Sequence, residues 1–385
     1  MPGLPPGMQM PKDPRILAAI AKMRNQVKIV SPEILSDGRV TFRILAPNAK
    51  DVTVGGLNEG MATDPNEDPI TAVMSPSAVL TKGANDVWSG TTAKPVAPGA
   101  YRYTFDVDGV TVLDSSNTLT SPSNGSVSSL LVIPGDFSEE RDVPHGALAR
   151  VDYSAPEYGP GVQRMMYVYT PPGYEKSTTS YPVLYLLHGG GDAAGSWATV
   201  GRANFIMDNL IAEKKALPFI VVMFDGWTPK GPQPMTVDAA TDPVNAEFVN
   251  DIIPAIEHRY RVKASAHYRA LSGLSMGGFQ TLTLGMKNIE KFDYLAPMST
   301  GFFTPEQRAA YIAANRPQID RAIKQLKLFR WGWGTTDMAR DIEIQNVDAM
   351  RAAGFKNITT LEVSGGHQWV TWRQLFHDEA QLLFR

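Results

Sequence analysis

Gly273-Leu274-Ser275-Met276-Gly277 places one serine between two glycines, after the apolar stretch Ala270-Leu271 and before a run that suits a helix. A serine on so sharp a strand-to-helix turn is held clear of the sheet as a nucleophile, and the glycines lack the β-carbons that would clash there. With 33 glycines in 385 residues, chance supplies the pentapeptide about 0.2 times in such a chain. The chemistry therefore needs a base, an acid to orient it and donors for an oxyanion. Six histidines are present, and only His367 and His377 follow Ser275. His367 lies in the glycine loop Ser364-Gly365-Gly366-His367, which can return an imidazole over a sheet. His377 falls in an amphipathic helical stretch and reads as a surface residue. His367 is the expected base.

The orienting carboxylate is expected at the end of the preceding strand, where Leu328–Trp331 leads through small residues to Asp337. Asp341 is the alternative, although a carboxylate in the first turn of a helix is already accounted for by the helix dipole. Upstream, the apolar run Val183–Leu187 ends in His188-Gly189-Gly190-Gly191. A glycine turn there exposes backbone N–H groups, so Gly190 and Met276 are the expected oxyanion donors. His188 precedes the nucleophile and reads as a structural hydrogen-bonding residue. A serine hydroxyl attacks only when a neutral imidazole takes its proton, and a carboxylate keeps that imidazole in the right tautomer. The set describes acyl transfer through a seryl ester to water.

The rest of the chain must position these groups. Apolar residues make up 43% and charged residues 19%, with a net charge of −3. This composition suits a protein with ample core and makes no electrostatic case for nucleic acid or an anionic membrane. The absence of cysteine excludes disulfides, thiolate metal sites and a cysteine nucleophile. The histidines show no ligand spacing, so neither a metal nor another cofactor is expected. Residues 1–25 form a Pro/Gly-rich tail and a short helix from Pro14, without the apolar core of a secretory signal. Residues 26–135 alternate with period two, as in Val40–Ile44 and Tyr101–Val107, with turns at Ser36-Asp37-Gly38 and Asp108-Gly109. They predict a small immunoglobulin-like β-sandwich. Residues 136–149 read as a linker. From 150 to 385 strands and helices alternate, which predicts α/β architecture with a largely parallel sheet. Helices are expected near 202–214, 246–260, 277–286, 338–353 and 372–383.

The wording of these segments resembles known families. Ala46-Pro47-Asn48-Ala49, Pro98-Gly99-Ala100-Tyr101 and Val107-Asp108-Gly109 resemble carbohydrate-binding module family 48. Tyr167–Tyr174, Tyr185–Trp197, Gly273–Gly278 and Gly366–Arg373 resemble carbohydrate esterase family one, which includes feruloyl and acetylxylan esterases and is grouped with enterochelin esterases. The resemblance implies an α/β-hydrolase fold and hydrolysis of an acylated xylan or a small ester, with Ser275, His367 and Asp337 at the matching positions. One departure is Phe224-Asp225-Gly226-Trp227, where many relatives carry Pro-Asn-Gly.

Trp197, Trp227 and Trp369 each follow a strand on the expected catalytic side and are candidates to stack on substrate. The stretches 226–245 and 302–327 could form a rim or lid. In the sandwich, Trp88 and Tyr101 are possible sugar platforms, against a packing role that shapes the entrance or a dimer contact. A siderophore trilactone esterase is a second reading, for which Arg202, Lys230 and Arg373 are the nearby cations. A non-catalytic carbohydrate-binding protein is a third. A polysaccharide substrate implies a secreted or periplasmic protein, without excluding the cytoplasm.

Overall fold

The computed structural model describes residues 13–17, 28–61, 75–229 and 243–385. Of the helix expected from Pro14, residues 14–17 are helical. The rest of that helix, the N-terminal tail, Lys230 and most of the 226–245 stretch lie outside the described residues.

Among the described residues, ten strands open the fold. One sheet runs β1 (Glu33–Ile34), β2 (Val40–Leu45), β6 (Val87–Thr91), β5 (Thr81–Lys82). The other runs β4 (Ala78–Val79), β3 (Val52–Gly55), β7 (Gly99–Val107), β10 (Ser126–Ile133), β9 (Thr120–Ser123), with β8 (Val110–Val112) paired to β7. The β7–β8 hairpin closes through Asp108 and Gly109, both at positive φ (52° and 83°), the backbone that a two-residue turn of this hand requires. The inward residues of both sheets, among them Val40, Phe42, Val54, Tyr103, Phe105 and Leu131, share one core. Trp88 and Tyr101 belong to it. The Trp88 indole N–H donates to the Ala46 carbonyl and the Tyr101 hydroxyl to that of Ala97, at 2.9 Å each. Neither ring is a platform, because burial leaves no face for a sugar.

The second part is one eight-stranded sheet. Its order is β11 (Ala147–Ser154), β12 (Gln163–Thr170), β14 (Ile220–Phe224), β13 (Val183–Leu187), β15 (Arg269–Leu274), β16 (Tyr294–Met298), β17 (Leu328–Gly334), β18 (Ile358–Val363). β11 and β12 are antiparallel to their neighbours, and the six strands from β14 to β18 are parallel. β11 starts inside the stretch read as a linker, because Ala147–Ala149 pair with Val168–Thr170. β13, β14 and β16 are buried at every position, as expected of strands covered on both faces. Their alternation divides two cores. Val183, Tyr185 and Leu187 pack with the helical stretch 243–259 and the helix Met276–Lys287. Leu184 and Leu186 pack with the helices Ala203–Ala212 and Trp369–Ala380. Ala100 and Leu130 of the sandwich join this second core, so the sheet that holds β7 and β10 docks on the same side.

β13 connects outward to β14, whereas β15 connects the other way to β16. The crevice beyond the ends of β13 and β15 is thus the switch point of the sheet, where ligands gather in open α/β folds. Beneath it, Ser272 Oγ lies 2.7 Å from the Ala296 carbonyl and 2.8 Å from Glu379 Oε2. Burial raises the Glu379 pKa to about 8. The carboxyl is therefore held protonated at neutral pH, beside a Ser272 hydroxyl whose acceptors are the Ala296 carbonyl and Glu379 Oε2. An acid raised in the fold destabilises it as pH climbs from the unfolded value of about 4.5 to the folded one. Glu379→Gln, close to the protonated form in shape, is expected to flatten the fall in Tm from about pH 5 to pH 8. Parallel melting curves for the two proteins over that range would show that Glu379 carries no such strain.

Candidate active site

Ser275 has φ 52° and ψ −116°, a conformation that costs a non-glycine residue on the order of 1–3 kcal/mol. Its surroundings impose the bend. The Ser275 N–H donates to the Met298 carbonyl at 2.8 Å, tying the turn to β16, and the Phe279 N–H donates to the Ser275 carbonyl to start the helix. A β-carbon on Gly273 would lie 2.5 Å from the Gly277 carbonyl oxygen, and one on Gly277 would lie 2.5 Å from that of His188. Only glycine fits on either side of this serine.

The Ser275 hydroxyl lies 3.0 Å from His367 Nε2, and His367 Nδ1 lies 2.9 Å from Asp337 Oδ1. The donor order is Ser275 to imidazole and imidazole to carboxylate, the arrangement that activates a serine. His367 hangs from the glycine loop between β18 and the helix Trp369–Ala380, with its ring edge-on to Trp372 at 5.1 Å. Asp337 follows β17, which runs three residues beyond its expected end because Gly334 still pairs with Val363. Burial opposes ionisation of Asp337. The His367 hydrogen bond, the Ser299 hydroxyl and the Ala339 N–H outweigh it and hold the carboxyl below its ordinary value. Glu343, buried behind it, is pushed well above the carboxylate range by burial first and by Asp337 as well. It stays neutral and adds no competing charge. The Asp341 side chain is 84% exposed and pairs with Arg340.

The loop after β13 closes the other side. A β-carbon on Gly189 would sit 3.4 Å from that of Ser275. Among the described residues, the N–H groups of Gly190 and Met276 donate to no protein acceptor, so both remain available to an oxyanion. His188 is buried, with Nδ1 2.9 Å from the Gly189 carbonyl and Nε2 3.0 Å from Asp225 Oδ1. It braces this loop, and the departure at Asp225 supplies its anchor.

A cavity of about 350 Å³ has Ser275 and His367 in its wall, together with Glu59, Arg102, Asp192, Gln368, Trp369 and Trp372. That volume is within the range of small-molecule sites. Of the three tryptophans expected at substrate, only Trp369 lines it. Trp197 is fully buried with its indole N–H on the Leu187 carbonyl, and it fills the core because Trp369 and Phe376 of the helix Trp369–Ala380 pack against its ring. Trp227 packs beside Gly190, outside the cavity. Arg373 and Arg202 are also buried, donating to carbonyls at Ala100 and Val200 and at Ser138. A wider cavity of about 620 Å³ beside β11, lined by Arg150, Tyr174 and Arg261, holds no nucleophile and base.

Glu59 and Arg102 escaped the sequence reading. Arg102 occupies an outward position of β7 between buried Tyr101 and Tyr103, and alternation identifies the outward face but not what it meets. Its guanidinium donates to Asp192 at 2.6 Å, Ser196 at 2.7 Å, Ser121 at 2.9 Å and the Pro122 carbonyl. The Glu59 carboxylate accepts the Trp369 N–H at 3.1 Å. Nothing in the local sequence marks Glu59.

Residues 160–383 match a family model described as "Putative esterase". An endo-1,4-beta-xylanase/feruloyl esterase of Xylanibacter ruminicola is 32% identical over 363 residues, covering 92% of this chain and 46% of that protein. An esterase of Mycobacterium tuberculosis is 35% identical over 141 residues, 36% of this chain and 28% of its own. The chain thus spans less than half the length of these curated relatives. In structure, the feruloyl esterase module of Clostridium thermocellum superposes with a TM-score of 0.56 at 20% identity, over 70% of this chain and 95% of that one. The enterobactin esterase of Shigella flexneri does so with 0.58 at 17% identity, over 89% and 92%. At such identities the likeness establishes the α/β-hydrolase fold.

Proposed function

This chain belongs to the esterase family, and from that premise we propose that it is a serine carboxylic-ester hydrolase removing feruloyl or acetyl groups from plant cell-wall xylan. The observation that carries the reading is the relay of 3.0 and 2.9 Å from Ser275 through His367 to Asp337. His367 Nε2 takes the Ser275 proton as Oγ attacks the ester carbonyl. The N–H groups of Met276 and Gly190 stabilise the oxyanion, and His367 returns the proton to the departing alcohol. Water, activated by the same imidazole, then frees Ser275 from its acyl group. Similarity to the endo-1,4-beta-xylanase/feruloyl esterase of Xylanibacter ruminicola supports the acyl class.

The N-terminal sandwich is read as an immunoglobulin-like module similar to carbohydrate-binding module family 48, serving as a wall of the site. Polymeric xylan does not enter cells, so the enzyme is read as acting in secreted or periplasmic form. Cleavage of an anionic siderophore trilactone is the weaker reading. Arg102, the cation lining the cavity, is spent on four acceptors, while Glu59 and Asp192 bring negative charge.

Three substrates given to the purified protein test the choice: methyl ferulate, acetylated xylan and a catecholate trilactone. Turnover of one of the first two, at kcat/KM above about 10⁴ M⁻¹s⁻¹, is expected. Turnover of the trilactone alone would replace the xylan reading with the siderophore one.

A further inference from the structure

The catalytic cavity is composite. Its esterase walls come from the loops after β13, β15 and β18, but Glu59 and Arg102 come from the sandwich, more than 200 residues before His367 in the chain. Arg102 serves as a bracket, with its hydrogen bonds consumed inside the protein. Glu59 differs. It sits on a single turn of 3₁₀ helix, Asn58–Gly60, that Tyr101 and Val96 hold from behind, since a β-carbon on Gly60 would come within 2.5 and 2.8 Å of them. Its Oε2 accepts the Trp369 N–H, and the Val370 N–H also faces the carboxylate. A carboxylate offers about four lone-pair sites, so two backbone donors leave acceptor capacity on a group that lines the cavity.

The walls beside it are Leu274 and the rings of Trp369 and Trp372. The Trp372 indole N–H is committed to Ser299. Asp192, the other carboxylate in the wall, is committed to Arg102, so two indole rings beside one carboxylate with acceptor capacity to spare suit a ligand that joins a planar apolar part to a hydroxyl. Resting on the substrate reading above, we propose that Glu59 is a specificity-determining residue that accepts a hydrogen bond from a hydroxyl of the bound ester. That hydroxyl is either the phenol of a hydroxycinnamoyl group or a sugar hydroxyl on the alcohol side. The sandwich thereby takes part in choosing the substrate.

The test compares wild type, Glu59→Ala and Glu59→Gln on methyl cinnamate, methyl ferulate and a cinnamoyl ester of arabinose. The first has no hydroxyl, the second a phenol and the third sugar hydroxyls. Glu59→Ala is expected to lower kcat/KM for one of the two hydroxylated esters about tenfold more than for methyl cinnamate, and that ester identifies the source. Glu59→Gln keeps the shape and one acceptor oxygen, and should lose about threefold on the same ester. An equal loss on all three esters in both variants would overturn the proposal, because Glu59 would then only cap the helix behind His367. Wild type that cleaves p-nitrophenyl acetate but none of the three would overturn the substrate reading itself, and this proposal with it. If Glu59→Ala does not fold, the Glu59→Gln ratio decides.

Discussion

Ser275→Ala is expected to lower kcat on p-nitrophenyl acetate by about 10⁶. The effect is this large because the three side chains act as a unit. Without Oγ, the imidazole 3.0 Å away has no proton to take and no acyl-enzyme can form. What remains is binding together with the Met276 and Gly190 N–H groups, which accelerate attack by water by only about 10³–10⁴ over solution. The fold should be unaffected. Alanine keeps the β-carbon, and the strained backbone is held by the Met298 carbonyl and the flanking glycines rather than by the hydroxyl. Circular dichroism should match wild type while activity vanishes. Equal, slow hydrolysis by both proteins would sink the esterase assignment.

Asp337→Asn should cost about 10⁴ in kcat with little change in stability. An asparagine can present its amide N–H₂ to His367 Nδ1, which stabilises the tautomer protonated at Nε2, and that tautomer cannot accept the Ser275 proton. The charge matters as well. Asp337 is buried yet held below its ordinary pKa, chiefly by His367 once burial is overcome, so it remains ionised through neutral pH and stabilises the imidazolium of the transition state. Asp341→Asn is the matched control, since its side chain points to solvent beside Arg340. It should retain wild-type turnover. If the losses were reversed, Asp341 would be the orienting acid and the arrangement around Asp337 would be structural only.

Much of the α/β part was legible because its signals are local. Continuous apolar runs give strands buried on both faces, and Val183–Leu187 has the same ends in the fold as in the sequence reading. Ends set by pairing were less legible. β17 runs on to Gly334 because β18 lies beside it, and the last helix starts at Trp369, three residues early. Its first N–H groups face the Glu59 carboxylate, which sequence cannot anticipate.

The sequence by itself determined the candidate chemistry. A serine between glycines, a histidine in a glycine loop and an acid after a strand each announce themselves within about ten residues, because turn geometry and strand period are local properties. Only the tertiary structure decided what surrounds Ser275. Trp197 and Trp369 look alike in the chain, yet one is sealed under a helix and the other lines the cavity. Glu59 and Arg102 reach the site from the far end of the sequence, because β7 and the turn Asn58–Gly60 dock against the last helix and the loop after β13. Burial is a property of packing between distant segments, and so is the choice of which side chains a substrate can meet.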